Sequence, residues 1–186
     1  MKENIVIVNC KASDEAHQIL NRLRQNSGNQ GFEISQAAVA KKDAGRISLE
    51  DGFTASDPMK GRGWTGGLIG SLVGLLGGSL GALIGEGIGA LIGNSMDERE
   101  LEEKSNLLKK VGECLSDGET ALLLMVKEED ERALSARLGD LQVSITRMDA
   151  AEVASEIERA EEQKRRKEAA EESEKELPEL EIISGD

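Results

Sequence analysis

The sequence is poor in aromatic side chains and in positive charge. Aromatic residues make up 2% of the 186 residues, Tyr is absent, and 36 acidic residues stand against 23 Lys and Arg, for a formal net charge of −13. Few aromatic rings leave little surface on which bases could stack, and an acidic surface repels phosphate. The composition therefore argues against nucleic acid as a partner.

Histidine and cysteine are scarce as well. His17 is the only histidine, and Cys10 and Cys114 lie far apart in the sequence. They form no metal-binding spacing, no disulfide framework and no Ser/His/Asp or Cys/His set. We therefore expect no catalytic residues, no metal site and no cofactor, and we interpret the two cysteines as buried thiols in a reducing compartment.

A signal peptide of normal length is also missing at the start of the sequence. Met1 is followed by two charged residues and then by a short apolar run. This pattern predicts synthesis and retention in the cytoplasm.

Glycine is abundant, and it is concentrated between residues 61 and 94. A spacing of four places the glycines of a row on one face of a helix, where small residues let two backbones approach closely. The sequence therefore predicts a helix-packing interface, a glycine zipper, made of two such rows. The rows are Gly66, Gly70, Gly74 and Gly78, and then Gly81, Gly85, Gly89 and Gly93.

Each glycine costs a helix roughly 1 kcal/mol relative to alanine, so this segment needs compensation from close packing or from lipid. Three arrangements provide it: a helical hairpin inserted wholly or partly in lipid, a soluble oligomer with a glycine-zippered interior, or one continuous span. Lys60, Arg62 and Trp64 at the entry predict an anchor at the cytoplasmic membrane interface. Glu86 within the segment adds a cost to insertion.

The regions on either side of the glycine segment alternate between strand and helix patterns. Before it we predict strands at residues 4–10, 32–42 and 46–50, with a helix after the first and a turn at 43–45. After it we predict helices at 97–114 and 131–138 and strands at 120–127 and 141–146.

Together these patterns predict an α+β fold. Two strand–helix–strand units would form a ferredoxin-like split βαβ sheet with helices on one face, interrupted by the glycine-zipper helical segment and followed by a charged C-terminal helix. The expected divisions are 1–52 and 96–148 for the two halves of the sheet domain, 53–95 for the glycine segment and 149–186 for the tail. Because both halves complete one sheet, the segment between them crosses any membrane an even number of times or not at all.

The tail from Asp149 onward interleaves acidic and basic residues at a spacing of four, as in Glu162 with Arg166. Val153 and Ile157 mark a thin apolar stripe near its start. This pattern predicts a surface-lying or solvated helix.

Several segments, taken in order, carry a resemblance. They are NIVIVNC, AAVAKKDAGRISLED, the long Gly-Leu-Ile segment, MDERELEEK and ETALLLMVKEED. Over roughly residues 4–146 the chain resembles the uncharacterised prokaryotic family called domain of unknown function 1269. The members of this family are predicted membrane proteins. The resemblance implies membrane association and brings no established chemistry.

The sequence thus predicts a non-enzymatic structural protein that assembles with itself through glycine-zipper packing. We expect it to associate with the membrane on the cytoplasmic side or to form a soluble cytoplasmic homo-oligomer, with other copies and a lipid bilayer as partners. The alternative is a ferredoxin-like module that binds a small ligand or signal and is tethered to the membrane by the glycine-rich hairpin.

Overall fold

Strands and helices alternate along the chain in the computed structural model, which describes residues 2–25, 31–55, 67–78, 106–138 and 143–175. The predicted α+β class is confirmed. In chain order the elements are β1 (Lys2–Cys10), α1 (Ser13–Gln25), β2 (Phe32–Asp43), β3 (Arg46–Thr54), α2 (Gly67–Gly77), α3 (Asn106–Glu113), β4 (Thr120–Glu128), α4 (Glu131–Leu138), β5 (Ser144–Asp149) and α5 (Ala150–Lys175).

The strands form one antiparallel sheet in the order β3-β2-β4-β1-β5. Helix α1 connects β1 to β2, and these two strands lie on either side of β4. Helix α4 connects β4 to β5, and these lie on either side of β1. Strands from before and after the glycine segment therefore alternate from β2 to β5 within a single sheet, and β3 is added beside β2.

Helices cover both faces of this sheet. Helices α1 and α4 of the two strand–helix–strand units lie on one face, as expected, whereas α2, α3 and α5 form a layer on the other face that the sequence did not predict. The reason is that β1 and β4 are apolar on both sides: Val6 and Val8 face α1 and α4, whereas Ile5 and Ile7 face α2, α3 and α5. A strand that is apolar on both faces needs cover on both.

The hairpin between β2 and β3 turns at Ala44 and Gly45, whose φ angles are 48° and 75°. Positive φ at both central residues is the mark of a type I′ turn, which matches the twist of the flanking strands. The Gly45 N–H also donates to Asp117 Oδ1 at 2.7 Å. Strand β3 runs on to Thr54, beyond the predicted end at residue 50, because a bulge at Glu50 lets pairing with β2 resume.

Two side chains hold the ends of α3. The Glu156 carboxylate of α5 accepts the N–H groups of Leu108 at 3.0 Å and Leu107 at 3.4 Å. At the other end, Lys42 Nζ donates to the carbonyls of Gly112 and Leu115, both at 2.9 Å. These contacts satisfy groups that a helix leaves unpaired at its termini.

Helix α5 begins at Ala150, directly after Asp149, whose Oδ1 accepts the N–H of Ala151 at 2.9 Å. Val153 and Ile157 are buried against the sheet, while the described side chains from Glu161 onward are exposed. The predicted pair of Glu162 with Arg166 is present at 2.6 Å. An exposed pair of this kind adds little stability.

The hairpin gives a first test. In L-residues the left-handed conformation costs roughly 1–2 kcal/mol, and Asn tolerates it better than Ala. We expect Ala44→Asn to raise the free energy of unfolding by roughly 0.5–1 kcal/mol, measured by urea denaturation. Gly45→Ala is the matched control and should lower it; equal effects would contradict the turn assignment.

The pKa values of two carboxyl groups at α5 give a second test. Burial raises the pKa of Glu156 above 4.5, against the opposing N–H groups of Leu108 and Leu107. Hydrogen bonds from the backbone of Glu152 and then of Ala151 lower the pKa of Asp149 below 3.8.

The raised pKa of Glu156 therefore contributes stability that is fully present below about pH 4.5 and is lost as pH rises. The lowered pKa of Asp149 contributes stability that is present above about pH 3.8 and is lost as pH falls. Relative to wild type, Glu156→Gln should gain stability as pH rises, and Asp149→Asn should lose it. Urea unfolding at several pH values measures both differences. The same sign for both variants would refute this assignment.

Candidate helix-packing surface

Helix α2 is the described part of the glycine segment. Its large side chains recur at helical spacing and pack into the core that also contains residues of β1, β2, β3 and β4. Five of them are at least 93% buried, whereas Leu68 is half-buried. We call this side the leucine face; it consists of Ile69, Leu72, Val73, Leu75 and Leu76.

The start of α2 is held by Gln36 of β2. Gln36 Oε1 accepts the Ile69 N–H at 3.1 Å. Gly67 has φ of 79°, and a Cβ on it would overlap the Gln36 amide. The role of Gln36 was not predicted from the sequence, because a glutamine within a strand pattern carries no signal that it caps a distant helix.

The end of α2 lies against the edge strand β3. In a two-residue hairpin the flanking residues Asp43 and Arg46 bond to each other, so the next residue, Ile47, points its backbone groups away from β2. A Cβ on Gly77 would overlap the Ile47 carbonyl oxygen, so only glycine permits this contact. Gly77 is not a member of either predicted glycine row.

The opposite side of α2, which we call the glycine face, consists of Gly70, Ser71, Gly74 and Gly78. Ser71, Gly74 and Gly78 are exposed and Gly70 is half-buried. No described atom lies within 4 Å of a Cβ built on Gly74. Among the described residues, space for a close neighbour is therefore present at Gly74.

The structure brings together only part of the predicted site. Gly70 and Gly74 lie within α2, four residues apart, and Gly78 directly follows the last residue of the helix. The remaining predicted residues fall outside the described part of the chain; they are Gly66, Gly81, Gly85, Gly89 and Gly93 of the packing interface and Lys60, Arg62 and Trp64 of the interfacial anchor. Within the described ranges, no helix is both long enough and apolar enough to cross a membrane.

One cluster of polar side chains resembles a catalytic set in composition only. His17 Nδ1 lies 2.9 Å from the Ser13 carbonyl and 3.5 Å from the Ser13 hydroxyl, which also donates to Glu50 Oε2 at 3.2 Å. Because a carbonyl oxygen only accepts, Nδ1 carries a proton in this contact and is not free to accept the hydroxyl proton of Ser13. The described residues contain no group of three His, Cys, Asp or Glu that could hold a metal ion.

The two cysteines are free thiols on opposite faces of the sheet. Cys10 is buried, and burial, followed by the charge of Glu15, raises the pKa of its thiol to about 11. Cys114 is half-buried, so only Cys10 fully matches the expectation of a buried thiol.

The two faces of α2 give a third test. Gly74→Ala adds a methyl group in open space and removes a helix glycine, so the free energy of unfolding at low protein concentration should rise by roughly 0.5–1 kcal/mol. Gly77→Ala places the same methyl group on a backbone carbonyl, and we expect a loss of about 1–3 kcal/mol. Thermal and urea denaturation measure both. A larger loss at position 74 would mean that α2 docks through its other face.

Comparison with known proteins places the chain in a family. No curated protein and no solved structure matches the chain. A family model described as "Protein of unknown function (DUF1269)" matches residues 63–176, from just before α2 to the end of α5. The match leaves out the two N-terminal segments quoted for the resemblance and adds the charged helix. It covers more than half of the sequence, and the chain therefore belongs to the DUF1269 family of proteins of unknown function.

Proposed function

We propose that this protein is a non-enzymatic structural protein whose copies assemble through the glycine face of α2. The observation that carries the proposal is the division of α2 into two faces. The leucine face is already buried on the protein's own sheet, whereas Gly74 is exposed and no described atom lies within 4 Å of a Cβ built on it. A second helix backbone fits such a space.

The energetics of α2 support this interpretation. Gly70 and Gly74 each cost the helix roughly 1 kcal/mol relative to alanine. Gly74 makes no close contact in return with the described part of the chain, unlike Gly77, which is needed against Ile47. Close packing of two backbones would offset the cost and give the spacing of four a purpose.

A protein partner suits α2 better than lipid does. Five of the six large apolar side chains of α2 are buried on the sheet and Leu68 is half-buried, so the exposed residues of this helix are glycine and serine. At 11 residues α2 is also about 16 Å long, against a bilayer core of about 30 Å. We therefore propose that other copies of the chain are the main partners and that any membrane association involves residues other than α2.

We also propose that the sheet is a ferredoxin-like split βαβ arrangement with additions. The order β2-β4-β1-β5, with α1 and α4 together on one face, supports this assignment. Strand β3 would be an added edge strand, and α2, α3 and α5 an added layer.

The proposal is tested by Gly74→Leu. A leucine side chain keeps the helix but holds a second backbone away, so the native mass should fall, by size-exclusion chromatography with light scattering. Gly112→Leu is the matched control: Gly112 is also a helix glycine with nothing within 4 Å of a Cβ, but it lies on α3. It should keep the wild-type mass.

Detergent separates the protein-packed form from the membrane-associated form. We expect wild type to remain large in detergent-free buffer. If Gly74→Leu keeps the wild-type mass, or if the assembly forms only with detergent, packing through the glycine face is not what holds copies together.

A further inference from the structure

The two edges of the sheet differ in how they are protected from pairing with a strand of another chain. At the β3 edge, the outward carbonyl of Ile47 lies against Gly77 of α2, and a bulge at Glu50 breaks the register. A covering helix and a bulge both keep edge strands from pairing with other chains. At the other edge, β5 pairs with β1 with no register shift and contains no proline, and no described strand pairs with its second side.

The hydrogen bonds of β2 and β4 fix the direction of the backbone groups. The Lys42 N–H donates to the Glu119 carbonyl at 3.0 Å, and the Lys42 carbonyl accepts the Gly118 N–H at 2.9 Å. Lys42 therefore bonds towards β4. Because backbone groups alternate in direction along an antiparallel strand, Ala40 and Ala121 are also a bonded pair.

The same alternation carries across the sheet to β5. Leu122, next to Ala121, bonds towards β1, where its partner is Val8. The next residue of β1, Ile7, therefore bonds towards β5, and its partner there is Thr146. Ile145 and Arg147 must then point their N–H and carbonyl groups away from the sheet. These are the groups on which another strand could pair.

The charges at this edge are already paired within the chain. Arg147 Nε lies 3.1 Å from the buried carboxylate of Glu128, and Asp149 Oδ2 lies 3.4 Å from Lys2 Nζ. Charged side chains normally guard an open edge by repelling other chains. Here a second copy would meet a strand with no net charge, although the whole chain carries −13.

From this geometry we infer that β5 is a second self-association surface, where β5 of another copy pairs in antiparallel orientation about a two-fold axis at Thr146. Ile145 then exchanges backbone hydrogen bonds with the partner's Arg147, and Thr146 lies opposite the partner's Thr146. If the two-fold axis passed through Arg147 instead, Arg147 of one copy would lie opposite Arg147 of the other, and two like charges directly opposite each other destabilise a strand pair. A two-fold axis perpendicular to the sheet keeps the same face of both copies on one side, so the sheet continues through both chains.

This inference rests on the proposed function, because it adds an interface to the same assembly. The glycine face lies on α2, which packs at the β3 edge, whereas β5 is at the opposite edge. Two self-complementary interfaces at opposite ends of one chain generate assemblies larger than a dimer. Loss of either interface alone should leave dimers.

Charge pairs at position 146 test the inference in the full-length protein. Thr146→Lys or Thr146→Glu alone sets like charges opposite each other across the axis, whereas mixing the two variants sets Lys opposite Glu. Native mass is measured for each variant, for the mixture and for Thr146→Val as control. Circular dichroism and the thermal midpoint establish that each variant is folded.

We expect wild type to exceed twice the chain mass of 20.0 kDa. Thr146→Lys and Thr146→Glu should each fall to twice that mass, their mixture should recover the wild-type mass, and Thr146→Val should keep it. Adding Gly74→Leu to Thr146→Lys should give a species of 20.0 kDa.

Unchanged mass in both charged variants, or a loss that mixing does not restore, overturns the pairing of β5. The proposed function is decided separately by Gly74→Leu. If that variant keeps its mass while the Thr146 variants dissociate, the glycine face is not an interface and the β5 edge is. A monomeric wild type overturns both.

Discussion

Burial of both faces of the central strands is the constraint from which the rest of the structure follows. Leu122 and Leu123 are neighbours in β4 whose side chains point to opposite faces, yet 0% and 1% of their surfaces are exposed. Both faces therefore need a helical layer, since exposed leucines forfeit roughly 25 cal/mol per Å² of apolar surface. Helices α1 and α4 supply one layer. The other is built from α2, α3 and α5, so α2 must turn its leucine face inward and its glycine face outward.

Polar side chains fix the position of the second layer. Gln36 holds the start of α2, and Glu156 and Lys42 hold the two ends of α3. These contacts satisfy helix termini that burial would otherwise leave unpaired. The apolar contacts give this layer its stability, and the end contacts set where each helix begins and how it is directed. A surface displayed on α2 is thereby held in one orientation relative to the sheet.

The sequence predicted those features that depend on local pattern. The α+β class follows from periodicity, and the bounds of α4 match the expected range 131–138. The family is also confirmed. In contrast, the extent of β3 was not predicted, because it depends on a bulge at Glu50. The second helical layer depends on β1 and β4 being apolar on both faces, a property that their unbroken apolar runs indicated.

The glycine pattern shows the limit of the sequence most clearly. A spacing of four predicts that another backbone approaches α2 along the face that contains Gly70 and Gly74, and this stays a prediction. It does not predict that Gly77, one residue out of the row, touches Ile47, because this contact depends on where the β2–β3 hairpin ends. Gly77 is required by its contact with Ile47, whereas Gly74 is exposed on the other side of the helix. Glycines that are close in the sequence therefore have different structural roles.

The central claim is that α2 buries one face in its own chain and the other against a second copy. Thiol labelling across a range of protein concentrations tests it most directly, with Ser71→Cys and Leu72→Cys placed separately in a background carrying Cys10→Ala and Cys114→Ala. The account predicts that position 72 reacts slowly at every concentration, whereas position 71 reacts fast when dilute and slowly when concentrated. Fast labelling at position 72, or a rate at position 71 that does not change with concentration, would contradict it.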